Sequence, residues 1–168
     1  MTETLQLRLA RPADLAAVDA LLARSYPRLL AADYPPSVLV TAVPLIARAR
    51  PELLASGRYW LACDAEDRVL AAGGWSAGSP EATDVRQGVA HIRHVATDPS
   101  ATRRGIGRAL LSRAMDQARG EGFVRFACLS TRTAVPFYAS LGFRVLGEAE
   151  IALAPGIGFP AVRMLAGD

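Results

Sequence analysis

The segment Val95-Ala96-Thr97-Asp98-Pro99-Ser100-Ala101-Thr102-Arg103-Arg104-Gly105-Ile106-Gly107-Arg108-Ala109-Leu110-Leu111 passes from strand to helix through a basic loop that carries two glycines. Upstream of the loop, Val89 to Thr97 is an apolar run that predicts a strand. Downstream, Ile106, Leu110, Ala114 and Ala118 recur at helical spacing and predict a helix over about 105–119, stopped by Gly120 and Gly122. The loop's backbone N–H groups are therefore the unpaired first-turn donors of that helix, and such donors attract an anion. Glycine at 105 and 107 removes the Cβ atoms that would hold a phosphate away, while Arg103, Arg104 and Arg108 supply positive charge. The spacing suits a pyrophosphate, although a GxG alone is also compatible with a tight turn beside a solvated basic face. A dinucleotide fingerprint would need a third glycine, and a Walker loop a lysine, which this chain lacks altogether.

Near the start of the chain, Gln6-Leu7-Arg8-Leu9 alternates as a half-buried strand. Pro12, Asp14 and the spacing of Leu15, Val18, Leu21 and Leu22 predict a helix over about 12–24. The proline-broken stretch 26–57 reads as short helices joined by turns. Apolar runs at 58–63 and 69–75 flank the polar tetrad Asp64-Ala65-Glu66-Asp67, a strand hairpin signature. A polar loop from Ser76 to Gly88 carries Glu81 and Asp84. Beyond the glycine loop and its helix, strands are expected over 123–130, 143–151 and 161–165, with a short helix over 133–141.

The bulk properties narrow the classes. Hydrophobic residues make up 51% and charged residues 21% of 168, values of a folded chain of one-domain size, and a single domain over 1–168 is expected. No apolar run reaches the roughly 20 residues that cross a bilayer, so no membrane association and a cytoplasmic location are expected. Cys63 and Cys128 lack the spacing of a metal site, so no metal is expected and both read as buried thiols. All 19 basic residues are arginine, yet the formal charge is only +3 and acidic residues are scattered, which argues against a nucleic-acid partner.

The strand ending Val95-Ala96-Thr97-Asp98-Pro99, followed by Arg103-Arg104-Gly105-Ile106-Gly107-Arg108, resembles the acyl-CoA-binding motif of the GNAT acetyltransferase superfamily. One departure is that Thr102 stands where the motif has Gln or Arg. A second block, Ala134-Val135-Pro136-Phe137-Tyr138-Ala139-Ser140-Leu141-Gly142-Phe143, is similar to that superfamily's late helix with its aromatic-tyrosine pair and closing Gly-Phe. The resemblance implies an α/β (α+β) fold with a mixed, mostly antiparallel central sheet, flanked by helices and splayed between strands 4 and 5, with acetyl-CoA in the splay. It implies an N-acetyltransferase acting by direct attack of an amine on the thioester. Val95, Ala96, Thr97 and the loop Arg103 to Arg108 are then the cofactor-binding residues. It is also compatible with a homodimer.

Such chemistry has three needs. An alkylammonium group is neutral in only a few molecules per ten thousand at pH 7, so a base is required; His91, His94, Glu81, Asp84 and a water chain are the candidates, with His94 preferred as nearer the reacting end. Strict alternation puts His91 and His94 on opposite faces unless the strand bulges. An oxyanion donor is implied near Val95, and Tyr138 occupies the superfamily's position for the acid that meets the leaving thiolate. The acceptor, a small-molecule or peptide amine, has no readable recognition motif. A catalytically silent CoA-binding or regulatory module on the same fold is the alternative reading.

Overall fold

The chain, seen in a computed structural model that describes residues 4–77, 88–102 and 104–167, runs β1 (Gln6–Leu9), α1 (Leu15–Leu29), α2 (Pro36–Thr41), α3 (Val43–Ile46), α4 (Pro51–Leu54), β2 (Tyr59–Cys63), β3 (Val69–Ser76), β4 (Val89–Thr97), α5 (Ile106–Gly120), β5 (Arg125–Ser130), α6 (Val135–Ser140), β6 (Arg144–Ala154) and β7 (Ile157–Ala166). The strands form one sheet in the order β1-β2-β3-β4-β5-β7-β6. Every neighbouring pair is antiparallel except β4 with β5. This is the mixed, mostly antiparallel sheet with flanking helices that the resemblance implies.

Two helices cover opposite faces of the sheet because strand residues alternate. Val18, Leu21 and Leu22 of α1 are fully buried with Leu61, Cys63, Ala72 and Ala96. On the other face, α5 buries Leu111, Ala114, Met115 and Ala118 against Trp75, Ala90 and Ile92, and Ile106 and Leu110 against Ala62 and Ala71. Fully burying each leucine of these stripes contributes about 1.5–3 kcal/mol. Gln117 secures the α5 face: its Oε1 accepts from both Trp60 Nε1 (3.0 Å) and Trp75 Nε1 (2.9 Å).

The helix expected from about 12 starts as a 3-10 turn at Pro12–Asp14, and α1 continues past Pro27 to Leu29. The stretch 26–57 breaks as expected into α2, α3 and α4, each with proline in its first turn. The last two strands are longer than their sequence pattern indicates. They form a long hairpin that turns at Pro155-Gly156, with Gly156 at φ +75°. Pro160 sits inside β7, paired to Glu150 of β6. The β5–β7 register ends at Ser130↔Val162, so β7 has a neighbour on only one side at Pro160, where a missing N–H is tolerated.

Candidate active site

β4 and β5 pair only from Val89↔Arg125 to His91↔Ala127 and then part. On the opposite side of β4 the register steps from Gly74↔Arg93 to Ala72↔Ala96, leaving His94 and Val95 against the single residue Gly73. This is a β-bulge. His94 adopts φ +48°, the left-handed region that histidine enters more readily than most residues. A Cβ on Gly73 would lie 2.9 Å from Val95 Cγ2, so glycine there makes room for the bulge. Tyr59 Oη donates to His94 O (2.7 Å) and Tyr26 Oη to Val95 O (3.4 Å), fixing both bulged carbonyls. His94 and Val95 thus have no register partner on either neighbouring strand. The bulge also resolves the question of faces: His91 and His94 line the same cavity.

That cavity, about 740 Å³, fills the gap between the parted strands, with Val95 on one wall and Cys128, Ser130 and Tyr138 on the other. Burial, reinforced by the nearby charges of Arg93 and Arg50 and opposed by Glu52, pushes the His94 imidazole down to about 4. His94 is therefore neutral at physiological pH, and its buried Nδ1 has no hydrogen-bond partner among the described residues. Tyr138 is 6% exposed. Burial, with Cys128 beside it, raises its hydroxyl well above the ordinary value, so it remains a proton-bearing donor. Its ring lies edge-on between Phe137 and Phe143, with centroids 5.3 Å away on each side. Cys63 and Cys128 are buried free thiols, and burial pushes Cys128 up to about 12.

At the far end of β4, Gly105 caps α5 at φ 74°, ψ 8°, with no side chain bonded to the first turn. Ala109 N bonding Gly105 O begins the helical ladder. A Cβ on Gly105 would meet nothing within 4 Å, so this position faces open space. Gly107 is placed differently: its Cβ would lie 3.3 Å from Thr97 Oγ1 and 3.6 Å from Phe137, so glycine there lets α5 approach β4 and α6. Ile106 and Ala96 direct their side chains into the core. The Arg108 guanidinium donates to Ser140 O (3.0 Å). Thr102 Oγ1 donates to Pro99 O (3.2 Å). Arg103, Glu81 and Asp84 lie outside the described residues.

Buried Asp98 anchors the turn into this loop. It accepts from Ser100 N (2.9 Å) and Ser100 Oγ (2.6 Å) and pairs with Arg24 (2.7 Å) of α1. Burial alone would raise its carboxyl, but the Ser100 bonds and Arg24 prevail and bring it down to about 2. Its ordinary value is 3.8. A depressed carboxylate contributes stability that is complete above the unfolded value and lost as pH falls through the folded one. Asp98→Asn is therefore expected to cost about 2 kcal/mol at pH 7 by urea denaturation, with the gap to wild type closing between about pH 4 and pH 2.

Three cavity residues carry no signal in the sequence. Arg50 lies in the proline-broken stretch, Arg93 is one charge between two histidines, and Glu150 is brought in by the long β6–β7 hairpin. Among the described residues, no group of His, Cys, Asp and Glu could hold a metal ion, and no helix is long and apolar enough to cross a membrane.

The profile of the acetyltransferase (GNAT) family matches residues 21–143. A glucosamine 6-phosphate N-acetyltransferase of Trypanosoma brucei brucei is 35% identical over 65 residues, covering 39% of this chain and 44% of that protein, so the match spans less than half of its length. A GCN5-related N-acetyltransferase from Rhodopseudomonas palustris superposes with TM-score 0.77 at 18% identity, over 100% of this chain and 97% of that one. The PaiA N-acetyltransferase of Thermoplasma acidophilum, solved with coenzyme A, gives TM-score 0.71 at 15% identity over 98% and 99%.

Proposed function

Because the chain belongs to the acetyltransferase (GNAT) family, we propose that it transfers an acetyl group from acetyl-CoA to a primary amine by direct attack. The observation that carries this reading is the occurrence of three features together: a start of α5 with no side-chain cap beside the end of β4, the bulge at His94 and Val95, and Tyr138 in the same cavity as that bulge.

The residues present fit the cosubstrate. Backbone N–H groups at the start of α5, from Arg104 to Arg108, would hold the pyrophosphate, with positive charge from Arg103 and Arg104. The parted edge of Val95, Ala96 and Thr97 offers backbone groups to the pantetheine amides. Acetyl-CoA supplies the acetyl thioester; the protein supplies the rest. Val95, outside the ladder on both sides, offers its N–H to the oxyanion of the tetrahedral intermediate. His94 Nδ1 accepts the proton of the attacking nitrogen. A free alkylammonium costs about 4–5 kcal/mol to deprotonate at pH 7, but the nitrogen becomes far more acidic once it has bonded to carbon, so a weak neutral acceptor in place suffices. The Tyr138 hydroxyl donates to the departing sulfur.

Calorimetric titration of CoA-free protein with acetyl-CoA, followed by a free-thiol assay with an amine panel, tests the reading. Tyr138→Phe is expected to bind acetyl-CoA within about twofold of wild type while lowering kcat about tenfold. Unchanged kcat would remove the acid role. Tight binding with no thiol release from any amine would favour the silent-module reading.

A further inference from the structure

Arg50, at the head of α4, and Arg93, on β4, line the same cavity as His94, Val95 and Tyr138. Two guanidinium groups here stand close enough to oppose each other. Arg93 is lowered from its ordinary range, first by burial and then by the charge of Arg50. Its hydrogen bond among the described residues goes to a neutral group, Ser76 Oγ (3.2 Å). No ion pair between described residues involves Arg50 or Arg93. Among the described residues, the facing carboxylates are Glu52, which acts on Arg93 from the first turn of α4, and exposed Glu150 on the cavity wall. Arg163 lines the cavity as well and has contacts of its own. The described walls thus carry three arginines against one lining glutamate, with Glu52 nearby.

Burying a guanidinium beside a like charge is unfavourable unless an anion completes the arrangement. The guanidinium fork matches the two-oxygen edge of a carboxylate or phosphate. We propose that the acceptor is an amine that also carries an oxyanion, a carboxylate or a phosphate, and that Arg50 and Arg93 receive this group while the amine faces His94. The proposal rests on the acetyl-transfer reading above. It assigns Arg50 and Arg93 to specificity rather than chemistry. Burial is the main cause that holds the His94 imidazole down, and a bound anion would offset the arginine charges that add to it.

The test compares, by free-thiol release, matched amines of one chain length: an amino carboxylate, an aminoalkyl phosphate, the amino alcohol and the diamine. The two anionic amines are expected to show kcat/KM at least about tenfold above the others, their order telling carboxylate from phosphate. Arg50→Gln, at an exposed side chain, and Arg93→Gln should each erase most of that preference with little change in acetyl-CoA affinity. Arg93→Glu should shift preference toward the diamine. Equal turnover of all four amines by wild type, or an anion preference that survives both glutamine substitutions, would overturn the proposal and leave acetyl transfer standing. If no amine is acetylated, the acetyl-transfer reading fails, and titration of CoA-saturated protein with inorganic phosphate decides the anion site. Binding lost in Arg50→Gln and Arg93→Gln supports it; equal binding in all three proteins, or none in wild type, overturns it.

Discussion

Replacing His94 with asparagine is expected to lower kcat/KM for the amine about a hundredfold while leaving acetyl-CoA affinity within about twofold. Asparagine is chosen because position 94 adopts φ +48°, which Asn tolerates as a β-branched residue would not. The bulge, and with it the Val95 backbone, should therefore survive while the imidazole is lost. Because His94 is held near 4, its own ionisation should leave no mark on the kcat/KM profile at neutral pH. That profile should rise with pH as the free amine population rises, at a lower level in the variant but with the same slope. A second readout is stability. The folded value lies below the ordinary 6.5, so stability is complete above about pH 6.5 and declines as pH falls toward about 4. His91, lowered mainly by burial, acts in the same direction. In the asparagine variant this decline should be shallower. Unchanged turnover would exclude His94 as proton acceptor.

Gly105→Val should weaken acetyl-CoA binding by about a hundredfold, measured by calorimetry at fixed salt. The protein itself has space for the side chain, since nothing lies within 4 Å of the added Cβ. The cost arises in the backbone. Gly105 caps α5 at φ 74°, and a β-branched residue there is disfavoured by at least about 1–2 kcal/mol, so the first turn must re-form and its N–H groups lose their common direction. Gly105→Asn separates two causes. Asparagine keeps the left-handed cap, so retained affinity assigns the valine effect to backbone geometry, whereas equal loss in both assigns it to side-chain bulk in the ligand's space. Equal affinity of Gly105→Val and wild type would remove the pyrophosphate assignment.

The loop was legible because its information is local. A glycine at a helix start, apolar residues at 106, 110, 114 and 118, and a strand ending before Pro99 each act over a few residues, and the structure places α5 at Ile106–Gly120 as that pattern predicts. The long β6–β7 hairpin was less legible because Pro160 argues against a strand unless one knows that β5 has already ended beside it. The two glycines of the loop looked equivalent in sequence and are not: Gly105 is set by its dihedral angles, Gly107 by the nearness of Thr97 and Phe137.

The order of strands and helices along the chain and the apolar stripes of α1 and α5 could be read from the residues alone, as could the resemblance carried by Arg103 to Arg108 and Phe137-Tyr138. The elements and stripes follow from periodicity and short-range geometry, whereas the resemblance rests on matched motif residues. That β4 bulges at His94 comes from the tertiary structure, because the extra residue shows only when β4 is counted against β3. Only it decided that His91 and His94 share a cavity, and that Arg50 and Arg93, 43 positions apart in the chain numbering, stand in that cavity as a pair. Charges that converge from distant segments leave no periodic trace along the chain, since their meeting is set by the packing of α4 beside the sheet and not by either neighbourhood.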